Sequence, residues 1–170
     1  DLAQQHLESA LAIQREIEYP HAMGRSMQGL AYLFLAQGNL QQAEVYYQQA
    51  QQLRQKLEEW HFLVEDRAGL ARVKQLQGQL DEARHFVSQV LRYLQENPRL
   101  DGAESYMRAF HLTWQVLLAL EQNKEADFVL SLAGAVLQDY IDKTPDLSKQ
   151  KMYLSQTHHQ ALWQARQTKQ

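Results

Sequence analysis

Cysteine is absent from the 170 residues, which excludes disulfides, thiolate nucleophiles and cysteine zinc sites together. This fits a reducing compartment, and with no signal-peptide pattern at the start the expected location is cytoplasmic. Seven glycines and three prolines are few for such a length. A β-sandwich or barrel needs more turn residues, so those folds are disfavoured. No run of 18 apolar residues occurs, hence no transmembrane helix is expected. Positive charge is not in excess either: 17 Lys and Arg stand against 20 Asp and Glu, for a net charge of -3. The basic residues are dispersed among acids without a stripe of one sign, so direct nucleic-acid binding is not expected. What the chain has in excess is glutamine, 26 residues against three asparagines. Gln is a good helix former and Asn a poor one, so the asymmetry points to helix. The length suits one soluble all-α domain. Asp1 is not a start methionine and the sequence opens inside a helical pattern, so a piece of a longer protein is expected.

Displaced by 40 residues, the sequence falls onto itself. Gly29-Leu30-Ala31 meets Gly69-Leu70-Ala71, and Gly38, Leu40 and Ala43 meet Gly78, Leu80 and Ala83. Ala3, Ala10, Glu18 and His21 meet Ala43, Ala50, Glu58 and His61, and a looser third copy places Ala126, Leu130 and Ala133 43 residues after Ala83, Val87 and Val90. Each period holds two helices. Met23, Met27, Leu30, Phe34 and Leu35 follow helical spacing over 22–37, and Gly38 suits a left-handed stop. Leu40, Ala43, Tyr47, Ala50, Leu53 and Leu57 mark a second helix over 40–58. The pair recurs over 61–96, and again over 102–141 as helices at 102–121 and 124–141. Residues 1–18 read as the second helix of a truncated repeat. Asn97-Pro98 is a break, and Thr144-Pro145-Asp146 predicts a last helix over 146–167 with Thr144 as N-cap and Pro145 at its first position. The expected total is eight helices. Alanines 31, 71, 43 and 83 would let paired axes approach closely, with Tyr47 and Phe34 filling the space between pairs; no pair can hide its own stripe, so stability must come from stacking.

This pattern resembles the tetratricopeptide repeat family. Met27, Leu30, Ala31, Phe34, Gly38, Leu40, Ala43, Tyr47 and Ala50 fill the family's positions in order. In the next copy Leu70, Ala71, Gly78, Leu80, Ala83, Val87 and Val90 do so, while Arg67 and Lys74 depart at core-like positions. In the third, Glu121 or Gln122 stands where Gly belongs, and Trp114 lies near the small-residue position. The period exceeds the family's usual 34 and is similar to the long repeats of kinesin light chains and of sensor arms in large bacterial transcription regulators of the maltose-regulator (STAND ATPase) type. The resemblance implies an α-solenoid, a right-handed superhelix whose first helices line a concave face. By position, that face carries Arg25, Gln28, Tyr32 and Leu35 from the first copy. Glu65, Ala68, Arg72 and Gln75 follow from the second, then Arg108, His111 and Gln115 from the third. Arg forks suit carboxylates, Gln amides suit peptide backbone and Tyr32 suits an anchor.

Catalytic chemistry has no signature here. No phosphate loop, dinucleotide fingerprint, nucleophile elbow or His-Glu-x-x-His motif occurs. The seven histidines are scattered, and adjacent His158 and His159 would point about 100° apart on a helix, so neither a metal nor any other cofactor is expected. Trp60 and Trp114 are expected in the core or at junctions, and Trp163 at an exposed end. The function expected is therefore that of a non-enzymatic module binding a protein segment, a peptide or a small effector on its concave face. Its setting would be a larger signalling or transcription-regulatory protein; the alternative is a free-standing scaffold or assembly adaptor.

Overall fold

The computed structural model describes residues 2–100 and 105–168. Among them are nine helices and no strand. They are α1 (Leu2–Glu16), α2 (Pro20–Ala36), α3 (Leu40–Lys56), α4 (Trp60–Leu76), α5 (Leu80–Glu96), α6 (Tyr106–Ala119), α7 (Asn123–Lys143), α8 (Leu147–Leu154) and α9 (Thr157–Gln167). Each helix from α1 to α4 packs on the next, and α6 packs on both α4 and α7. This is an α-solenoid of helix pairs, with α2, α4 and α6 as the first helices.

The turns explain the regularity. Helices α2 to α5 each hold 17 residues and begin at positions 20, 40, 60 and 80. After α2, the left-handed Gly38 (φ 76°) donates its N–H to Leu35 O at 3.1 Å, and Asn39 donates to Phe34 O at 2.9 Å. These two bonds satisfy carbonyls that the helix end leaves open. Gly78 repeats the arrangement with φ 77°, and Glu18, Glu58 and Glu121 adopt it with φ of 51°, 58° and 59°. The acid pair Glu58-Glu59, which makes no sense as a charge placed at a helix end, is thus a turn with a non-glycine residue in the glycine position. It is also Glu121, not Gln122, that replaces the third glycine.

Leu30, Ala31, Leu70 and Ala71 are fully buried, and so are Ala43 and Ala83 on the helices that face them. Between pairs the fit depends on glycine. A Cβ on Gly69 would come within 2.2 Å of the Tyr47 ring, and one on Gly29 within 3.0 Å of Leu7. Leu7 and Tyr47 are 40 residues apart, as are Gly29 and Gly69: the bulk of one pair's second helix fills a notch in the next pair's first helix. One hydrophobic cluster runs from Leu11 through Tyr47 to Val73, and a larger one from Val64 through Phe110 to Leu162.

Four expectations need correction. The stretch 146–167 is two helices, because Gln156 is extended (ψ 137°) and turns α9 back onto α6 and α7. The redirection buries His159 and Leu162, whereas α8 only half-buries Tyr153 and Leu154 against the core. Thr144 is the C-cap of α7 and Asp146 is the N-cap of α8, its carboxylate accepting from the N–H groups of Ser148 and Lys149. Pro145 keeps Thr144 out of helical backbone and so ends α7 there, and the carboxylate cap of Asp146 sets the start of α8, two residues beyond the expected cap. Trp60 is 52% exposed at the first turn of α4, not packed in a junction. Trp163 packs against the core, with the Arg166 guanidinium 5.7 Å from its ring. The third pair's expected start at 102 lies outside the described residues; Ser105 caps α6.

Candidate functional site

Eleven residues were expected on the first-helix face; Ala68 is fully buried and Leu35 packs against the core, and the other nine are Arg25, Gln28 and Tyr32 on α2, Glu65, Arg72 and Gln75 on α4, and Arg108, His111 and Gln115 on α6. Lateral packing of α4 against both α2 and α6 brings most of them into one polar network. Arg72 donates to the Gln75 side-chain carbonyl along α4. The Arg108 guanidinium lies over the Tyr32 ring, 3.9 Å from its centroid, joining the first and third pairs directly. Arg25 is exposed, and Gln115 is half-buried.

Gln28 and Glu65 lie beneath this face. Gln28 Nε2 donates to Glu65 Oε2 at 2.7 Å, and the backbone N–H of Ser105 donates to Glu65 Oε1 at 2.9 Å. Burial raises the Glu65 pKa against the pull of these donors and of Arg54 and Arg108. Under them, Arg54 of α3 is 2% exposed, with Nη1 2.9 Å from both Asp66 Oδ2 and Phe62 O. Its Nη2 reaches Gln28 Oε1 at 3.4 Å. Asp66 is wholly buried, and desolvation outweighs Arg54 to push its pKa up to about 8, with Glu65 adding to the rise. Two carboxyls share one guanidinium, so holding a proton on Asp66 avoids an uncompensated buried charge.

Lys74, one of the departures in the second copy, is also buried and satisfied. Its Nζ contacts Glu44 at 2.7 Å, Glu82 at 3.0 Å and Gln79 Oε1 at 2.9 Å. Burial alone would lower its pKa, but the hydrogen bonds and charges of Glu44 and Glu82 overcome that and raise it.

The face is closed at one end by a residue from far along the chain. His158, in the first turn of α9, places Nε2 3.0 Å from Tyr32 Oη and Nδ1 2.9 Å from His111 Nδ1. His111 stacks on Trp114, with centroids 6.2 Å apart. Beside this contact is a cavity of about 320 Å³ walled by Arg108, Tyr153, Gln156, His158 and His159, among others. Burial lowers the pKa of both imidazoles; Arg72 adds to the effect at His111, and His111, Arg108 and His159 carry His158 down to about 4. Nothing in the sequence pairs position 158 with position 32. Arg54 and Asp66 were likewise unmarked, since a single Arg on a helix of polar composition looks like solvated surface.

Among the described residues, no group of three or more His, Asp or Glu is placed to hold a metal ion, and no helix is long and apolar enough to cross a membrane. Compared with known proteins, residues 25–96 match the family model described as tetratricopeptide repeat. The match spans the two pairs α2–α3 and α4–α5, so residues 25–96 are similar to tetratricopeptide repeats. Repeats of that family are non-catalytic and generally mediate protein–protein interaction. No curated protein and no solved structure matches the chain.

Proposed function

With residues 25–96 as tetratricopeptide repeats, we propose that the chain is a protein-interaction module. It takes a segment of another protein along the face of α2, α4 and α6. One observation carries this reading: Tyr32, Arg72, Gln75, Arg108 and Gln115 keep polar or aromatic groups at one surface of helices whose other sides are buried. Held on three stacked helices, these groups lose little side-chain freedom on binding. Arg25, at the outer end, extends the row, and His111 borders it. Gln28 and Glu65 support the row from below.

The spacing of the helices and the Gly-x-Leu-x-x-Ala turns favour a long-repeat sensor arm in a signalling or transcription-regulatory protein, cytoplasmic in location. There the bound segment or a small effector would alter how the pairs stack. The test is capture of partners by the intact chain against an Arg72→Ala/Gln75→Ala variant, both side chains being part-exposed and bonded chiefly to each other. The reading expects partner capture to fall at least tenfold with an unchanged melting temperature. Equal capture by both proteins moves the binding surface off this face.

A further inference from the structure

We propose that His158 is a pH-sensitive clasp: in its neutral form it ties α9 to both α2 and α6, and double protonation of the His111–His158 pair releases it and widens the first-helix face. The inference goes beyond the binding reading and holds whether or not a partner uses the face.

The geometry carries the argument. Two Nδ1 atoms 2.9 Å apart can hold one hydrogen between them. With both rings neutral, one Nδ1 donates and the other accepts, and His158 Nε2 takes the complementary role toward the Tyr32 hydroxyl at 3.0 Å. A single added proton keeps both bonds. A second sets N–H against N–H, and the contact is lost.

The surroundings make each proton costly while the clasp is shut. The Tyr32 ring edge meets His158 from α2, and Arg108 of α6 lies on that ring's face. Arg72 of α4 acts on His111. On α9, His159 is held by the Tyr153 carbonyl of α8 at 2.7 Å, while Tyr153 Oη pairs with Tyr106 Oη of α6 at 2.9 Å. From α7, which packs on α9, Gly134 O accepts from Arg166 at 2.7 Å. Arg108 is coupled to the Glu65 carboxylate, which Gln28 and Ser105 already occupy. Among the described residues, no acid is bonded to either imidazole to compensate a positive charge, so opening, which returns the rings to water, takes up protons. Because the imidazole pKa values are depressed when shut, the clasp is at full strength above about pH 6.5 and weakens as pH falls toward 4.

The absence of cysteine makes the test direct. Gln41→Cys on α3 and Gln160→Cys on α9, both exposed positions, accept a pair of spin labels on the full chain. Distance distributions are compared between pH 8 and 4.5, with far-UV circular dichroism monitoring helix content. The clasp predicts a longer-distance population that is at least tenfold larger at pH 4.5, with helix content retained. In a His158→Gln background, which hydrogen-bonds but cannot titrate, the distribution is the same at both values. Identical distributions in the parent chain, an equal response in the His158→Gln chain, or helix loss preceding the widening would each overturn it.

Discussion

The central pairs and the C-terminal stretch of this molecule are built on different rules. From α2 to α5 every helix has 17 residues, and the three turns between them share one left-handed geometry. Beyond α5 the lengths are 14, 21, 8 and 11 residues, and an extended Gln156 sends α9 back toward helices formed much earlier. The central pairs are regular because local signals repeat: a stop residue, a small-residue notch and a bulky side chain that fills it. The C-terminal stretch is set by long-range burial of Leu162 and His159 and by the His158 contact with α2. A polar network at the first-helix face links the two regions.

The largest expected effect distinguishes what holds the centre. Arg54→Met leaves Asp66 and Glu65 without their shared cation and should cost about 3–5 kcal/mol by urea unfolding. A loss under about 1 kcal/mol would show that the central pairs do not depend on it. Next come Leu70→Ala in the centre and Leu162→Ala in α9, both fully buried. Each should cost about 2–5 kcal/mol, and a much smaller value for Leu162 would reduce α9 to an appendage. Leu30→Ala belongs with Leu70→Ala.

A pH series sharpens the contrast further. A carboxyl whose folded pKa exceeds its unfolded value binds more protons when folded. The stability Asp66 contributes is therefore complete below its ordinary 3.8 and is lost as pH rises toward about 8. Asp66→Asn should flatten the decline of the urea midpoint between pH 4 and 8; an unchanged slope would place the decline elsewhere. The smallest effect tests the turns. Glu58→Gly should stabilise by about 1 kcal/mol, because glycine holds a left-handed conformation without the Cβ penalty. Gly78→Ala should destabilise by a similar amount, and two changes of the same sign in thermal unfolding would contradict the shared geometry.

Which parts could be read beforehand follows from the same contrast. Gly38, Gly78 and the alanine pairs announced the central helices, since a repeated small residue has one packing use at one spacing. Glu58 and Glu121 concealed turns because a non-glycine residue carries no mark of a positive φ. Trp60 misled because an aromatic ring beside a junction usually packs there, whereas this one sits on an outward first turn. Splitting of the last helix was not legible: Ser155 and Gln156 are ordinary helix residues, and tertiary burial overrides their propensity. On the candidate face, the family resemblance implied one surface for Tyr32, Arg72 and Arg108, and of these the Arg108 guanidinium lies over the Tyr32 ring. It could not separate surface from interior for Gln28 and Glu65, because their burial depends on Arg54 arriving from another helix.

Nesting holds the centre together: a glycine notch on α2 and another on α4 each receive a bulky residue from the preceding helix pair, Leu7 and Tyr47, and set these first helices side by side. A double-mutant cycle of Gly69→Ala with Tyr47→Leu, read by equilibrium unfolding, tests this most directly. Nesting predicts that Gly69→Ala costs about 1–3 kcal/mol in the parent chain and at least about 1 kcal/mol less once Tyr47 is leucine. Strictly additive losses would contradict it.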